Sequence, residues 1–158
     1  MRFSSIILGL AAVASAVDIR FFSGSKCGGG ALVQCGNQPP NKCCQNSYKV
    51  NSVGVYAIPS NWKLVTRSYR NGNSCASGDK VHEFNSNGAT WVCHGTQGIF
   101  NGDYRGAGYS FLNKRRATDT SDDQECAKPD TLFLEDGQKY NIAGLGDAET
   151  EEMVSCLA

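Results

Sequence analysis

The sequence predicts a mainly β domain: a disulfide-stapled antiparallel β-barrel or sandwich carrying a short C-terminal α-helix. Three observations predict it. The cysteine count is eight, an even number, and half of these lie between Cys27 and Cys44. Short runs of alternating apolar and polar residues recur between clusters of glycine, proline and asparagine, the pattern of half-buried strands. Helix signals gather at one place only, the final stretch from Asp147.

Ahead of the domain, Met1–Ala16 reads as a secretory signal peptide, with Arg2 as its positive end, Ile6–Val13 as its apolar run and Ala14-Ser15-Ala16 as the cleavage site. The apolar run is too short for a membrane span of about 20 residues, and no later run reaches that length. Residues 17–158 are expected to form one secreted, extracellular domain. Disulfides persist in such oxidising compartments, and Cys27, Cys35, Cys43, Cys44, Cys75, Cys93, Cys126 and Cys156 are all candidates for bridges. Cys43 and Cys44 are adjacent. A bond between neighbours strains the peptide joining them, so each is expected to take a different partner. The spacing leaves the pairing open.

In chain order, Asp18–Phe22 reads as an opening strand ended by Ser23-Gly24-Ser25. Gly28-Gly29-Gly30 is a turn, Ala31–Gln34 a short strand, and Pro39-Pro40 stops regular structure before Cys43. From Val50 the alternation strengthens. Val53, Val55 and Ala57 fall on one face, Gly54, Tyr56 and Ile58 on the other. Pro59-Ser60-Asn61 then breaks the run, and Trp62–Tyr69 reads as the return strand. Val81–Asn85 and Ala89–Cys93 flank Asn87-Gly88, a strong hairpin signal. Ile99–Leu112 is rich in glycine and aromatics and reads as curved β structure with close backbone approach. Asn113–Glu125 reads as an exposed loop. Thr131–Glu135 and Gln138–Ile142 bracket Asp136-Gly137, a second type I′ hairpin signal. Asp147 is placed to cap the closing helix, with Ala148, Met153, Val154 and Leu157 toward the core.

Composition narrows the function. Fifteen basic residues balance fifteen acidic ones, and loss of Arg2 with the signal peptide tips the balance slightly negative. That charge lacks the basic excess expected for nucleic-acid binding. Each asparagine lacks the hydroxyl residue of a glycosylation sequon two positions on, so N-glycosylation is not expected. Catalysis has few parts to draw on. His82, Glu83 and His94, with Arg67 or Arg105, make a conceivable small ribonuclease, since that chemistry needs an acid–base pair and a cation. His82 and Glu83, however, are neighbours in a predicted strand and should face opposite ways. Histidines on the surface or in loops, without a task, are the favoured reading. A nucleophile elbow is missing, and a cysteine nucleophile would leave an odd partner among the thiols. Asp119, Asp122, Asp123 and Glu125 lack calcium-loop spacing. No metal and no cofactor are expected. Trp62, Trp91, Tyr104, Tyr109 and Phe111 admit a glycan-binding reading, with core packing the default. Lys114-Arg115-Arg116 reads as a solvated basic loop, with dibasic processing as the alternative.

Several segments together resemble a known group: Arg20–Gly24, Cys27–Gly30, Asn37–Cys44, Ser52–Pro59, Tyr104–Tyr109 and Lys128–Leu132. The chain resembles small secreted cysteine-rich proteins of filamentous fungi, which include effectors and elicitors of plant cell death. The resemblance implies an apoplastic protein that plants detect as foreign, answering with defence and a hypersensitive response. It carries no functional residue with it. The expected partner is a plant host protein or cell-surface receptor, with a cell-wall glycan as a further candidate, and a monomer is expected. Two loops are the candidate recognition surfaces: Pro59, Ser60 and Asn61, and the segment holding Lys114, Arg115, Arg116, Asp122 and Asp123. The alternatives are a ribonuclease-like hydrolase using His82 and His94, and a cell-wall glycan-binding module.

Overall fold

A computed structural model of the chain describes residues 16–70, 75, 79–95, 102–112 and 126–156. The expected signal peptide up to residue 15, the expected loop with Lys114, Arg115, Arg116, Asp122 and Asp123, and Leu157 lie outside the described residues. Among the described residues ten strands and one helix follow in order: β1 Val17–Phe22, β2 Ala31–Gln38, β3 Cys44–Val50, β4 Ser52–Tyr56, β5 Leu64–Arg70, β6 Lys80–Asn85, β7 Val92–Gly95, β8 Tyr104–Phe111, β9 Thr131–Phe133, β10 Lys139–Asn141 and α1 Asp147–Ser155. They build a sandwich. A six-stranded sheet has the order β10-β9-β2-β1-β4-β7, and a four-stranded sheet the order β3-β8-β5-β6. Of the two expected architectures the sandwich is the one formed; neither sheet closes on itself.

Alternation decides what lies between the sheets. Ile19 and Phe21 of β1, Val33 and Cys35 of β2, and Val53 and Val55 of β4 face inward from the six-stranded sheet, all fully buried. Cys44 and Val50 of β3, Leu64 and Thr66 of β5, and Tyr104, Ala107 and Tyr109 of β8 meet them from the other. Burial of such side chains contributes about 1.5–3 kcal/mol each, the main favourable term in the fold.

Several connections differ from the sequence expectation. β4 and β5 are not partners: β4 pairs with β1 and β7, β5 with β6 and β8. The chain crosses between sheets at Ala57, which adopts φ 57°, and this turn sends Ile58 into the core at 2% exposure rather than onto the face of Tyr56. β6 and β7 likewise lie in different sheets. Asn87 and Gly88 do take positive φ of 50° and 84°, yet the reversal hands the chain from one sheet to the other. The hairpin β9–β10 forms as expected, with Lys139 opposite Phe133. At its turn only Gly137 has positive φ, so the turn is not type I′. β2 continues past Gln34 to Gln38, and β3 was not expected.

The helix begins one residue early. Gly146 occupies the N-cap, and its N–H donates to Glu149 Oε2 at 2.8 Å, half of a capping box. Asp147, in the first turn, pairs with Lys128 at 3.0 Å. Thr150 and Val154 are the buried helix residues, whereas Ala148 is exposed.

Three disulfides staple this frame: Cys27–Cys93, Cys35–Cys44 and Cys43–Cys75. The adjacent pair does divide. Cys44 joins β3 to β2 across the interior, while Cys43 reaches Cys75 on the outside of β8. That bond explains a glycine: a Cβ at Gly106 would stand 3.1 Å from Cys75 Sγ, and one at Gly108 3.1 Å from Lys42 O. Bridging of all eight cysteines does not hold at two positions. Cys126, half-buried, and Cys156, exposed, carry free thiols.

Candidate functional site

The two histidines come from strands of opposite sheets and meet in the interior, their ring centroids 6.5 Å apart. His82 lies opposite Ser68 on the inward face of β6. Its neighbour Glu83 points outward, accepting from Arg67 Nε at 2.7 Å and Lys80 Nζ at 3.1 Å. Those hydrogen bonds, Arg67's first, hold the Glu83 carboxyl below the usual range. The sheet therefore separates His82 from Glu83, as alternation requires.

His94 is a core residue rather than a surface one, with 0% exposure. The Thr66 hydroxyl donates its only proton to Phe84 O at 3.1 Å. It must then accept from His94 Nε2–H, 2.9 Å away, which fixes Nδ1 as the unprotonated nitrogen. Nδ1 is buried with no hydrogen-bond partner among the described residues. Protonation there would place a charge among Phe84, His82 and Val53, and desolvation, with a smaller push from His82, drives the pKa down to about 3. Near neutral pH this imidazole is uncharged, and its one N–H is held by Thr66. Tyr104, whose ring lies 6.0 Å from His82, donates its OH to Gly95 O at 2.8 Å, and burial raises its pKa to about 12. Arg67 and Arg105 are engaged elsewhere: Arg67 with Glu83 and Ser110, Arg105 with Ser47 O at 3.0 Å. Among the described residues no cluster of three or more His, Cys, Asp or Glu is arranged to hold a metal ion.

A different constellation faces outward on the six-stranded sheet. Tyr56 of β4 points away from the core, and its ring folds back over Gly54, where a Cβ would collide with it. Trp91 leads into β7 and stacks on Tyr56, centroids 5.7 Å apart and planes 11° apart. Half of Trp91 is exposed. On the other side the Arg20 guanidinium of β1 lies 4.8 Å from the Tyr56 centroid and 5.7 Å from that of Phe133 on β9. Arg20 Nε donates to Gln34 Oε1 at 2.8 Å, and Lys139 Nζ of β10 lies 5.2 Å from the Phe133 centroid. The result is a row of aromatic and cationic groups, Trp91, Tyr56, Arg20, Phe133 and Lys139, running from one sheet edge to the other. Cation–π and stacking contacts of about 0.5–1.5 kcal/mol each hold it in place.

Of the aromatics named from sequence, Trp91 alone belongs to this row. Tyr104 and Tyr109 are core, and Trp62 sits edge-on to Phe111 at 4.9 Å against the core. Sequence reasoning missed Tyr56, Arg20 and Phe133. The signal was present in Gly54-x-Tyr56: a glycine two residues before an aromatic leaves room on the same face for the ring to lie down. Ser60 and Asn61 are exposed, as expected of a recognition loop. Their turn sits beside Gly88, whose added Cβ would stand 3.6 Å from Ser60 O. Ile58 N–H donates to Thr90 O at 3.0 Å, so this turn lies at the Trp91 end of the row.

Comparison with curated proteins and with solved structures gave no match. Residues 18–130 match a family model, ARB_05566_N, described as an N-terminal domain. The matched span runs from β1 through β8 to Asp130, which accepts from Gly36 N at 2.8 Å. It thus contains the interior histidines and the Trp91, Tyr56 and Arg20 part of the outer row, while Phe133 and Lys139 fall beyond it. With more than half of its residues matched, the chain belongs to the ARB_05566_N family.

Proposed function

We propose that the protein is secreted and acts outside the cell by binding, as an elicitor-type protein that a plant detects as foreign. One observation carries the binding part of this reading: His94 is sealed between the sheets and Glu83 is turned away from His82 and held by Arg67 and Lys80, while the exposed face carries an ordered aromatic–cation row. A buried imidazole with its pKa near 3 neither reaches a substrate nor exchanges protons at neutral pH. A rigid sheet presenting aromatic and guanidinium groups is how recognition surfaces are commonly built. Three disulfides suit an oxidising compartment, and no helix of the described residues is long and apolar enough to cross a membrane. Host detection rests on the resemblance to secreted fungal elicitors.

The test is infiltration of Val17–Ala158 into leaves, scoring cell death and oxidative burst beside a reduced, alkylated control. The oxidised protein alone should act. The response should persist in His82→Ala and in His94→Gln, which keeps an amide donor for Thr66. Silence from the oxidised wild type sinks the elicitor reading. Loss of response in a folded histidine variant, together with cleavage of total RNA by the wild type, sinks the binding reading in favour of a hydrolase.

A further inference from the structure

The outer row has the chemistry of a sugar-binding surface, an inference that rests on the binding reading above. We propose that it takes an uncharged β-1,4-linked glucan chain laid across the strands, with one sugar ring on the exposed plane of Trp91 and the next residues on Arg20 and Gln34. Charge and shape argue for this occupant together. Charges of both signs are interspersed on the face: Arg20 pairs with Asp18 at 3.6 Å, Lys139 stands over Phe133, and Asp130 accepts from Gly36 N–H and from the Thr131 hydroxyl, the latter at 2.6 Å. With Arg20 and Lys139 set against Asp18 and Asp130, the face has little net charge to offer an ionic polymer. What it presents is an indole plane, a guanidinium with further N–H groups, and the Gln34 amide. These complement a polyol, which has apolar C–H faces and a rim of hydroxyls.

Shape points the same way. Tyr56 lies down over Gly54 and holds the indole nearly parallel to itself, so the plane is pre-set and little side-chain entropy is lost on binding. The row crosses strands spaced about 4.8 Å apart, a spacing close to one residue of an extended β-linked chain. A flat ribbon with two similar faces suits such a row; a coiled β-1,3-glucan does not. The turns at Pro59–Asn61 and Asn87–Gly88 border the Trp91 end.

Titration calorimetry with cellohexaose against the oxidised protein tests the proposal. The expected result is measurable binding, with no heat from laminarihexaose or polygalacturonate. Trp91→Ala should abolish it. Gly54→Ala, which removes no ring but forces Tyr56 off its seat, should weaken it at least tenfold while the unfolding transition stays cooperative. Absence of cellohexaose binding, binding of polygalacturonate instead, or equal affinity in Trp91→Ala overturns the proposal. A leaf response that survives when cellohexaose fails to bind overturns the glucan assignment and leaves the elicitor reading in force.

Discussion

Acid should loosen this protein chiefly through one side chain, His94. His94 is neutral in the fold, with its pKa depressed from 6.5 to about 3, so the unfolded chain binds a proton that the folded chain refuses. Its contribution is therefore fully present above pH 6.5 and is lost as the pH falls toward 3. Each unit in that window removes about 1.4 kcal/mol, so a shift from pH 7 to pH 4.5 should cost about 2.5 kcal/mol from this residue. His82, lowered mainly by desolvation, acts with the same sign. Urea unfolding followed by tryptophan fluorescence measures the effect. With a slope of about 2 kcal/mol per molar, the midpoint should drop by about 1.2 M between those pH values. His94→Gln keeps a donor for Thr66 Oγ1 but cannot titrate, so its midpoint should fall by much less over the same range. Equal falls in wild type and His94→Gln would refute the reasoning, because they would show that His94 binds its proton equally well in both states.

The disulfides should not be equal in worth. Cys27–Cys93 closes a separation of 66 residues and Cys35–Cys44 one of 9, so chain entropy alone makes the double serine variants cost about 4 and about 2.5 kcal/mol. Denaturant midpoints for the two variants check that order, and a reversed order would show that the interior staple holds more than chain entropy. Titration of the denatured, unreduced protein with a thiol reagent should find two thiols. In the native state Cys156 should react first, because it is exposed while burial raises the half-buried Cys126 thiol; no reactive thiol at all would mean a fourth bridge.

What was legible in the sequence was mostly local. The inward faces of β1 and β4 follow directly from alternation, since Ile19 and Phe21, or Val53 and Val55, have only one apolar side to bury. Separate partners for Cys43 and Cys44 follow from disulfide geometry. Turn chemistry was read correctly at Asn87-Gly88 but its consequence was not. Positive φ at both residues sets how sharply the chain reverses and leaves open which strand waits beyond the turn. Here Ser86 decides. Its N–H donates to Leu64 O at 2.8 Å while its Oγ accepts from Leu64 N at 3.0 Å, which ties the end of β6 to β5 and lets the chain leave for the other sheet. β3 escaped notice because its inward face is not apolar throughout: Asn46 is buried, its amide donating to Tyr48 O at 2.7 Å.

The candidate site was harder to see for a related reason. Sequence reasoning assigns polar side chains to water and aromatic ones to the core, and this sandwich reverses both rules at the positions that matter. His94 goes inside because Thr66 satisfies one nitrogen and a neutral imidazole is affordable there. Trp91 stays outside because Tyr56, seated on Gly54, gives it a surface to stack on that is not the core. Each inversion is permitted by a small partner, a hydroxyl in one case and a missing Cβ in the other. Neither inversion follows from the inverted residue alone. If the outer row binds as proposed, its affinity depends on Gly54 nearly as much as on Trp91, and the same glycine that weakens the strand by roughly 0.5–1 kcal/mol is what keeps the platform flat.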